Sequence, residues 1–385
     1  MELKNNFTKN LVYIAAILSF AACKKLSSTS SSTSALPTDT ISGDIVTVAG
    51  DGADEPLSNG SGPAIKANIF PVSIAVDNSS NIYLVGGESM IQKISPLGII
   101  STIAGTTTKG SSTGDGGPVV AATFTDIYSI AVDNKGNIYV IDGPENPDPA
   151  HPELIRKIDQ SGIITTIAGK GTDSGNVNGG LAINSYFYSP GEIAVDDSDN
   201  IYFTDYSANI VRKINTSGII NTVVGVYNVG GYNGDNIPAT QAQLNTPVEI
   251  AVNNKGNIFI DDELNHRIRK VDASGMITTI AGNGTDGYSS DSGVATQLAL
   301  GRPITMAVDG SGNLYLSDGN VPRIRKINTS GIITTIAGNE TQGYSGDNGP
   351  AIKAELDKIS SLACDALGNL YIGDIGNYRV RRINK

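Results

Sequence analysis

The chain is poor in the residues that build metal clusters and covalent crosslinks. Its 385 residues include no tryptophan, two histidines and two cysteines. Two histidines cannot supply a histidine-rich metal site, and two cysteines cannot form a disulfide framework or a thiolate zinc cluster. The composition therefore excludes both kinds of site.

Basic residues are also scarce. Lysine and arginine total 27 against 38 acidic residues, which gives a formal net charge of −11. An acid-rich chain without a basic patch is a poor ligand for nucleic acid, so we exclude that class of partner. Glycine, by contrast, accounts for 45 residues. Much glycine with little charge favours a turn-rich, all-β protein over a helical bundle.

The N-terminal segment has the pattern of a signal peptide. Lys4 and Lys9 precede an uncharged run, LVYIAAILSFAA, that covers residues 11–22. As a helix this run rises about 18 Å, which is too short to cross a hydrocarbon core of about 30 Å. We therefore predict that residues 1–22 are a cleaved signal peptide.

The end of this segment, Phe20-Ala21-Ala22-Cys23, resembles the lipobox of bacterial lipoproteins. The resemblance implies that Cys23 is lipidated and becomes the new N-terminus, and that Lys24 after it directs the protein to the outer membrane of the cell envelope. An uncleaved anchor and an ordinary secretory peptide are the alternatives. Residues 23–43 are rich in Ser and Thr and predict a flexible tether.

From residue 45 onward the chain repeats one unit. Tetrads similar to TIAG end at Gly50, Gly105, Gly169, Gly225, Gly282 and Gly338. Each is followed by a Gly/Asp-rich loop, an IAVD-like strand, an IY-like strand and an IRKI-like strand. Four short strands rich in Ile, Val, Thr and Tyr in each unit of about 50 residues are typical of a β-propeller blade. We predict that residues 44–385 form an all-β, six-bladed propeller of four-stranded antiparallel blades.

The register of the repeat predicts how the ring closes. The chain opens on a fourth strand, Ile45 to Gly50, and finishes on a third strand that ends at Ile383. Pairing the N-terminal strand with the last blade would complete that blade and leave no exposed sheet edge there. We expect a monomer.

The units resemble NHL repeats, which belong to the TolB-like superfamily of propellers. The resemblance rests on GDGGP-like loops, such as Gly114–Pro118, and on the strand pattern of residues 369–383, and it recurs six times. It implies the fold but not a function, because such propellers include scaffolds, lactonases and lyases.

Comparison of the internal copies points to paired charges. The second strand ends in Asp and the third strand carries Arg in the same five units: Asp142 and Arg156, Asp205 and Arg212, Asp262 and Arg269, Asp318 and Arg325, Asp374 and Arg381. The first unit has Gly86 and Gln92 and so lacks both partners. Joint loss is expected of a pair, because either charge alone would be poorly compensated between blades. We interpret these residues as structural pairs rather than metal ligands.

The long loops between fourth and first strands carry a second set of aspartates, Asp115, Asp235, Asp291 and Asp347. Each precedes a short run that resembles one or two helical turns. Turn formation and N-capping are one interpretation, and cation binding is the other. No copy has the D-x-D-x-D spacing of a calcium loop.

The residue before each IAVD-like tetrad varies around the ring. It is Ser73, Ser129, Glu192, Glu249, Thr305 and Ser361. First strands line the central channel of a propeller, so we expect Glu192 and Glu249 to meet near the channel mouth. They are either two solvated carboxylates or ligands of a divalent cation such as calcium. Six-bladed lactonases resembling gluconolactonase hold a cation there, although their ligand pattern is not recognisable in this chain.

Blade two contains a proline-rich insertion at residues 143–153, between its second and third strands. This loop and the long loops should lie on one face of the ring, which we call the long-loop face. Distinctive loops on a rigid scaffold are favoured binding positions, which makes Glu145, Asp148 and His151 ligand-binding candidates. A neutral insertion is the alternative.

We find no catalytic constellation in the sequence. His151 and His266 have no recognisable partner, there is no nucleophile elbow, and we expect Cys364 to be a buried apolar filler. The sequence therefore favours a lipid-anchored, non-enzymatic scaffold that binds protein, peptide or glycan through its long-loop face. A divalent-cation-dependent hydrolase or lyase, with Glu192 and Glu249 at a channel metal, is the alternative, and a purely structural envelope protein is a third.

Overall fold

The computed structural model describes residues 43–385 except for 55–56, 58–59, 88, 108, 145–151, 172, 175–177, 188, 289–291 and 320. Across these residues the regular structure consists of β-strands and three-residue 3-10 turns. Within the same ranges, no helix is long and apolar enough to cross a membrane.

The first strand and the first three blades occupy the N-terminal half of the ring. The chain starts with β1 (Asp44–Ala49). Blade one contains β2 (Ser61–Pro63), β3 (Pro71–Val76), β4 (Ile82–Gly86), β5 (Met90–Ile94) and β6 (Ile99–Gly105). Blade two contains β7 (Ile127–Val132), β8 (Ile138–Asp142), β9 (Leu154–Ile158) and β10 (Ile164–Ala168). The loop that follows contains the short strands β11 (Asp173–Ser174), β12 (Gly180–Leu181) and β13 (Ser185–Tyr186). Blade three adds β14 (Pro190–Val195), β15 (Ile201–Asp205), β16 (Ile210–Ile214) and β17 (Ile219–Val224) to β12.

The other three blades follow the same plan. Blade four contains β18 (Ile237–Pro238), β19 (Pro247–Val252), β20 (Ile258–Asp262), β21 (Arg267–Val271) and β22 (Met276–Ala281). Blade five contains β23 (Ser292–Val294), β24 (Pro303–Val308), β25 (Leu314–Asp318), β26 (Val321–Ile327) and β27 (Ile332–Ala337). Blade six contains β28 (Gly349–Pro350), β29 (Ile359–Cys364), β30 (Leu370–Asp374), β31 (Arg379–Ile383) and, from the other end of the chain, β1.

The 3-10 turns fall into two groups. Six of them lie in the long loops: Ala64–Lys66, Val119–Ala121, Ala182–Asn184, Ala239–Gln241, Ala295–Gln297 and Ala351–Lys353. Three others join second to third strands: Tyr206–Ala208, Glu263–Asn265 and Ile375–Asn377.

The six-bladed propeller predicted from the repeats is confirmed, with one difference. Five blades carry a fifth, short strand at the outer edge, supplied by the long loop that enters the blade. In blade one, for example, β2 pairs with β6. In blade two a single bridge between Pro118 and Ile163 occupies the same place. The extra strand covers the outer edge of the sheet, which limits its pairing with other chains.

The predicted ring closure is also confirmed. β1 pairs antiparallel with β31, with Ile45 opposite Ile383 and Thr47 opposite Arg381. The N-terminal strand thus becomes the fourth strand of blade six. Closure joins the two ends of the described chain through one sheet.

The core lies between the blades, because alternate residues of each strand point to opposite faces of its sheet. In blade one, Ile74 and Leu84 pack with Val380 of blade six. Val85 lies on the other face and packs with Phe124 at the entry to blade two. Each blade is therefore buried on both faces and depends on its neighbours.

The glycine that ends each TIAG-like tetrad is required by a close approach of two backbone segments. Gly282 has a φ of +86°, and a Cβ atom built there would lie 2.2 Å from the carbonyl oxygen of His266. No other residue fits that space without moving the third strand. The recurring glycines therefore lock the fourth strand of each blade against its third.

Candidate functional site

The structure brings the aspartates of the second strand next to the arginines of the third. The distance from an Arg Nη1 to an Asp Oδ2 is 3.1 Å for Arg156 and Asp142, 3.4 Å for Arg269 and Asp262, and 3.6 Å for Arg381 and Asp374. These arginines and aspartates are fully buried. Burial raises the pKa of Asp262 to about 6, and the Arg269 guanidinium opposes that rise. The arginine therefore favours the charged carboxylate in a place where burial disfavours it.

The pairing differs in detail in two other blades. In blade three, burial raises the pKa of Asp205 to about 6, while the charge of Arg212 lowers it. In blade five, Asp318 accepts a hydrogen bond from Arg323, which lies two residues before Arg325 on β26. Both arginines of β26 act to lower the pKa of Asp318, which burial raises.

Each of three buried arginines also binds an aspartate of the long loop. The distance from Arg Nη2 to Asp Oδ1 is 3.2 Å for Arg156 and Asp115, 3.1 Å for Arg269 and Asp235, and 2.6 Å for Arg381 and Asp347. The guanidinium thus lies between two carboxylates, one from its own hairpin and one from the loop. We call this arrangement the arginine bridge.

This geometry corrects the N-capping interpretation of the loop aspartates. The 3-10 turn after Asp235 begins at Ala239, its N-cap is Pro238, and no side chain caps it. Asp235 accepts hydrogen bonds from Arg269 and from Thr279 Oγ1, the latter at 2.9 Å. The reason is that a buried guanidinium has five N–H donors that need acceptors. Asp291 lies outside the described residues.

In blades four and six a tyrosine of the long loop covers the arginine bridge, and blade five carries a tyrosine at the equivalent place. The Arg267 guanidinium lies 4.0 Å from the ring centroid of Tyr232, and the Arg379 guanidinium lies 3.6 Å from that of Tyr344. The third tyrosine of this set is Tyr288, whose ring lies 5.9 Å from Arg323. Stacking of a guanidinium on an aromatic ring is favourable. It holds the three tyrosines in place while each remains 38–40% exposed.

The residues before the IAVD-like tetrads link neighbouring blades. Ser361 Oγ accepts a hydrogen bond of 3.1 Å from the backbone N–H of Ile74 in the next blade. The same inter-blade bond, at 3.0–3.3 Å, runs from Ile193 to Ser129, from Met306 to Glu249 and from Leu362 to Thr305. Glu249 of blade four thus accepts the inter-blade hydrogen bond that Ser129, Thr305 and Ser361 accept through their hydroxyl groups in other blades.

Glu192 and Glu249 lie on neighbouring first strands and are both partly exposed. Burial raises the pKa of Glu192 to about 8. The pKa of Glu249 is also raised, first by burial and then by the charges of Glu192 and Asp261. Asp261 is buried, and among the described residues none forms a hydrogen bond with its Oδ2. The three carboxyl groups therefore form an acidic cluster, with Glu192 and Glu249 on first strands and Asp261 on the second strand of blade four.

The predicted metal ligation by Glu192 and Glu249 stays a prediction. Over the described ranges, no group of three or more His, Cys, Asp or Glu residues is arranged to hold a metal ion.

The other two residues singled out in the sequence, His266 and Cys364, have separate surroundings. The Nδ1 atom of His266 lies 3.8 Å from Asp286. Cys364 packs against the core between blades five and six, and burial raises the pKa of its thiol.

Four predicted site residues lie outside the described residues: Cys23, Glu145, Asp148 and His151. At the C-terminal end of the same insertion, Glu153 is buried. Burial raises the pKa of Tyr128, and the charge of Glu153 and a hydrogen bond with it raise that pKa further. The described end of the insertion therefore places the buried Glu153 beside the partly buried Tyr128.

Comparisons with known proteins bear on this architecture. The family model described as "Teneurin NHL domain" matches residues 228–290, the stretch that contains Tyr232, Asp235, Asp262 and Arg269. Teneurin-1 from Mus musculus is 27% identical over 376 residues, which cover 89% of this chain and 13% of that protein. Teneurin-4 from Homo sapiens is 31% identical over 233 residues, which cover 54% of this chain and 8% of that protein. The chain thus spans a small part of the length of these relatives.

A solved structure described as an auxiliary nutrient binding protein from Bacteroides thetaiotaomicron VPI-5482 superposes with a TM-score of 0.62. The two are 17% identical, and the match covers 88% of this chain and 76% of that chain. At this identity the likeness concerns the fold. The chain is a six-bladed β-propeller whose repeats are similar to those of the teneurin NHL domain.

The raised pKa values in the acidic cluster predict that the stability of this propeller depends on pH. A carboxyl group with a raised pKa in the folded state prefers its proton there, whereas the unfolded chain releases it above a pH of about 4.5. The free energy of unfolding should therefore fall as pH rises from about 4.5 to about 8. We predict that a Glu192→Gln/Glu249→Gln variant loses this dependence and melts at least about 2 °C above the wild type at pH 9, as measured by thermal unfolding from pH 5 to 9.

A matched control removes two exposed carboxylates instead. Asp159→Asn/Asp272→Asn introduces at two turns the residue that blades three and five carry there, Asn215 and Asn328. The pKa of both aspartates is lowered by hydrogen bonds within the turn, so this variant should keep the pH profile of the wild type. An unchanged profile in the glutamate double variant would contradict the prediction.

Proposed function

We propose that the protein is a lipid-anchored scaffold outside the cytoplasm that binds a protein, peptide or glycan through its long-loop face. The observation that carries the proposal is the set of three exposed tyrosines, Tyr232, Tyr288 and Tyr344, at equivalent places on blades four to six. Tyrosine offers a large amphipathic contact area at a low cost in conformational entropy, and it is enriched at binding surfaces.

The arginine bridges of blades four and six support this proposal because they hold Tyr232 and Tyr344 in place. Tyr344 Oη donates a hydrogen bond of 2.8 Å to Asp347, which is itself bound to the buried Arg381. A residue fixed in this way before binding loses little freedom when a ligand arrives. Blade two has Ser112 where blade six has Tyr344, so it lacks the tyrosine at this place.

A structural relative supports the binding role, and the N-terminal sequence supports the lipid anchor. A protein of the same fold is described as an auxiliary nutrient binding protein, which agrees with a binding role. The lipobox-like segment that ends at Cys23, followed by the Ser/Thr-rich tether, favours a lipid anchor at the outer membrane and a domain held away from the lipid surface.

Site-specific photocrosslinking in the native cells tests which face binds. Val229 and Leu264 are exposed apolar residues on the long-loop face of blade four. With p-benzoylphenylalanine at either position, we expect a covalent adduct on irradiation, seen as a mass increase in the purified protein, because the bound partner would lie against these side chains.

The control places the same photoreactive residue on the opposite face. Asn254 and Ala366 are exposed in turns that join first to second strands. We expect no adduct from these positions. Adducts of equal yield from both faces, or from neither face, would argue against binding through the long-loop face.

The acidic cluster favours a second candidate function, a divalent-cation-dependent hydrolase or lyase. After burial, the charges that raise the pKa of Glu249 and Asp261 are acidic: those of Glu192 and Asp261 for Glu249, and those of Glu263 and Asp262 for Asp261. Carboxylates are the ligands that calcium prefers. We propose calcium as the cation of this second function, with Glu192 and Glu249 as its ligands.

Calcium titration during thermal unfolding tests the second candidate. If Glu192 and Glu249 bind calcium, millimolar calcium should raise the melting temperature, because a ligand that binds only the folded state stabilises it. The increase should vanish in Glu192→Gln/Glu249→Gln. An unchanged melting temperature of the wild type in calcium would remove this candidate.

A further inference from the structure

Two grooves lie at equivalent places on neighbouring blades. The groove of blade four has a volume of about 390 Å³ and is lined by Tyr232, Asp235, Arg267, Thr279, Asn283 and Thr296. The groove of blade five has a volume of about 470 Å³ and is lined by Ser292, Thr335, Gly338, Asn339, Glu340 and Ile352. Each runs between the outer strand of its blade and the long loop that leads to the next blade.

Blade two shows what closes such a groove. Lys170 follows the TIAG-like tetrad of blade two, in the place that Asn283 has in blade four and Asn339 has in blade five. Lys170 forms an ion pair with Asp115, the loop aspartate of its own arginine bridge. A lysine at this position therefore reaches across the space that stays open beside Asn283.

The groove of blade four combines a flat aromatic surface with hydroxyl, amide and carboxylate groups. Tyr232 packs against Arg267 and keeps part of its ring exposed. The side chain of Asp235 is 30% exposed and accepts hydrogen bonds from Thr279 at 2.9 Å and from Tyr232 at 3.2 Å. Pockets of this kind place a few polar groups beside an apolar surface to orient a ligand.

A sugar ring fits that combination. A pyranose has an apolar face of C–H groups that can lie on an aromatic ring, and equatorial hydroxyls that can bond to carboxylate, hydroxyl and amide groups at its edge. Asp235 in one groove and Glu340 in the other each form an ion pair with an arginine and have further carboxylate lone pairs that can accept hydrogen bonds from sugar hydroxyls. The net charge of the chain, −11, disfavours an anionic ligand.

We propose that these two grooves bind a neutral glycan, one sugar unit in each. The proposal rests on the proposed function, since it names the ligand class that the long-loop face takes. Tyr232 provides the stacking surface in blade four, and Asp235, Thr279 and Asn283 provide hydrogen-bonding groups. Two equivalent sites on adjacent blades favour an oligosaccharide over a single sugar, because the second contact becomes intramolecular once the first has formed.

Isothermal titration of the full-length mature protein in detergent tests the proposal. The probes are maltohexaose, cellohexaose, xylohexaose and mannohexaose. We expect at least one of them to bind, and we expect Asn283→Lys/Asn339→Lys to weaken that binding by at least about tenfold. These lysines copy the residue that blade two carries at the same position, so the fold should tolerate them.

The control variant adds the same charge on the opposite face. Asn254→Lys/Ala366→Lys should bind the glycan as the wild type does. Absence of binding by all four probes, or unchanged binding by Asn283→Lys/Asn339→Lys, would overturn the groove proposal.

The photocrosslinking experiment separates this outcome from failure of the scaffold function. One outcome is that no probe binds the wild type while the adducts at Val229 and Leu264 persist in Asn283→Lys/Asn339→Lys. In that case the long-loop face binds a partner, but the grooves are not the binding site. Loss of both the adducts and the glycan binding in this variant would support the grooves as the site.

Discussion

The arginine bridge is the interaction on which the rest of this propeller depends. A buried guanidinium such as that of Arg269 is costly unless its donors are satisfied and its charge is balanced. Asp262 from the same hairpin and Asp235 from the long loop balance this charge and accept hydrogen bonds from its Nη atoms, and the carbonyl oxygen of Gly234 accepts another. The bridge therefore fixes a loop of irregular structure to the rigid sheet, and it does so in several blades at the same radial position. The outward-facing surface of these loops is therefore held in place as well.

The differences between blades follow from the same constraint. Blade one has no bridge, and a Cβ atom at Gly86 would lie 3.2 Å from Gln92 Oε1, so a neutral amide takes the place of the charges. Blade two has the bridge together with a lysine that binds its loop aspartate. Blades four to six add the tyrosine that stacks on a second arginine of the third strand. The ring is thus nearly symmetric in its core and asymmetric on its long-loop face.

The internal repeats were enough to predict the blades and the ring closure by β1, because both depend on periodicity. They also predicted that Asp262 lies near Arg269, because the two residues belong to one hairpin. The second partner, Asp235, was misinterpreted because it lies 34 residues from Arg269, and no local pattern connects a loop to a later strand. The fifth strands are two or three residues long, which is too short to show an alternation of polar and apolar residues.

One signal was present in the sequence: Tyr232, Tyr288 and Tyr344 occur only in the units that also carry Arg267, Arg323 and Arg379. Such joint occurrence indicates contact between the two positions.

The central claim is that the loop aspartate and the buried arginine act as one unit, and a double-mutant cycle measures this directly. The cycle compares Asp235→Asn, Arg269→Gln and the double variant, with the free energy of unfolding taken from urea denaturation. Glutamine is the residue that blade one carries at the arginine position, Gln92. We expect the two substitutions not to be additive, with a coupling energy of about 1–3 kcal/mol. Additivity to within about 0.5 kcal/mol would contradict it.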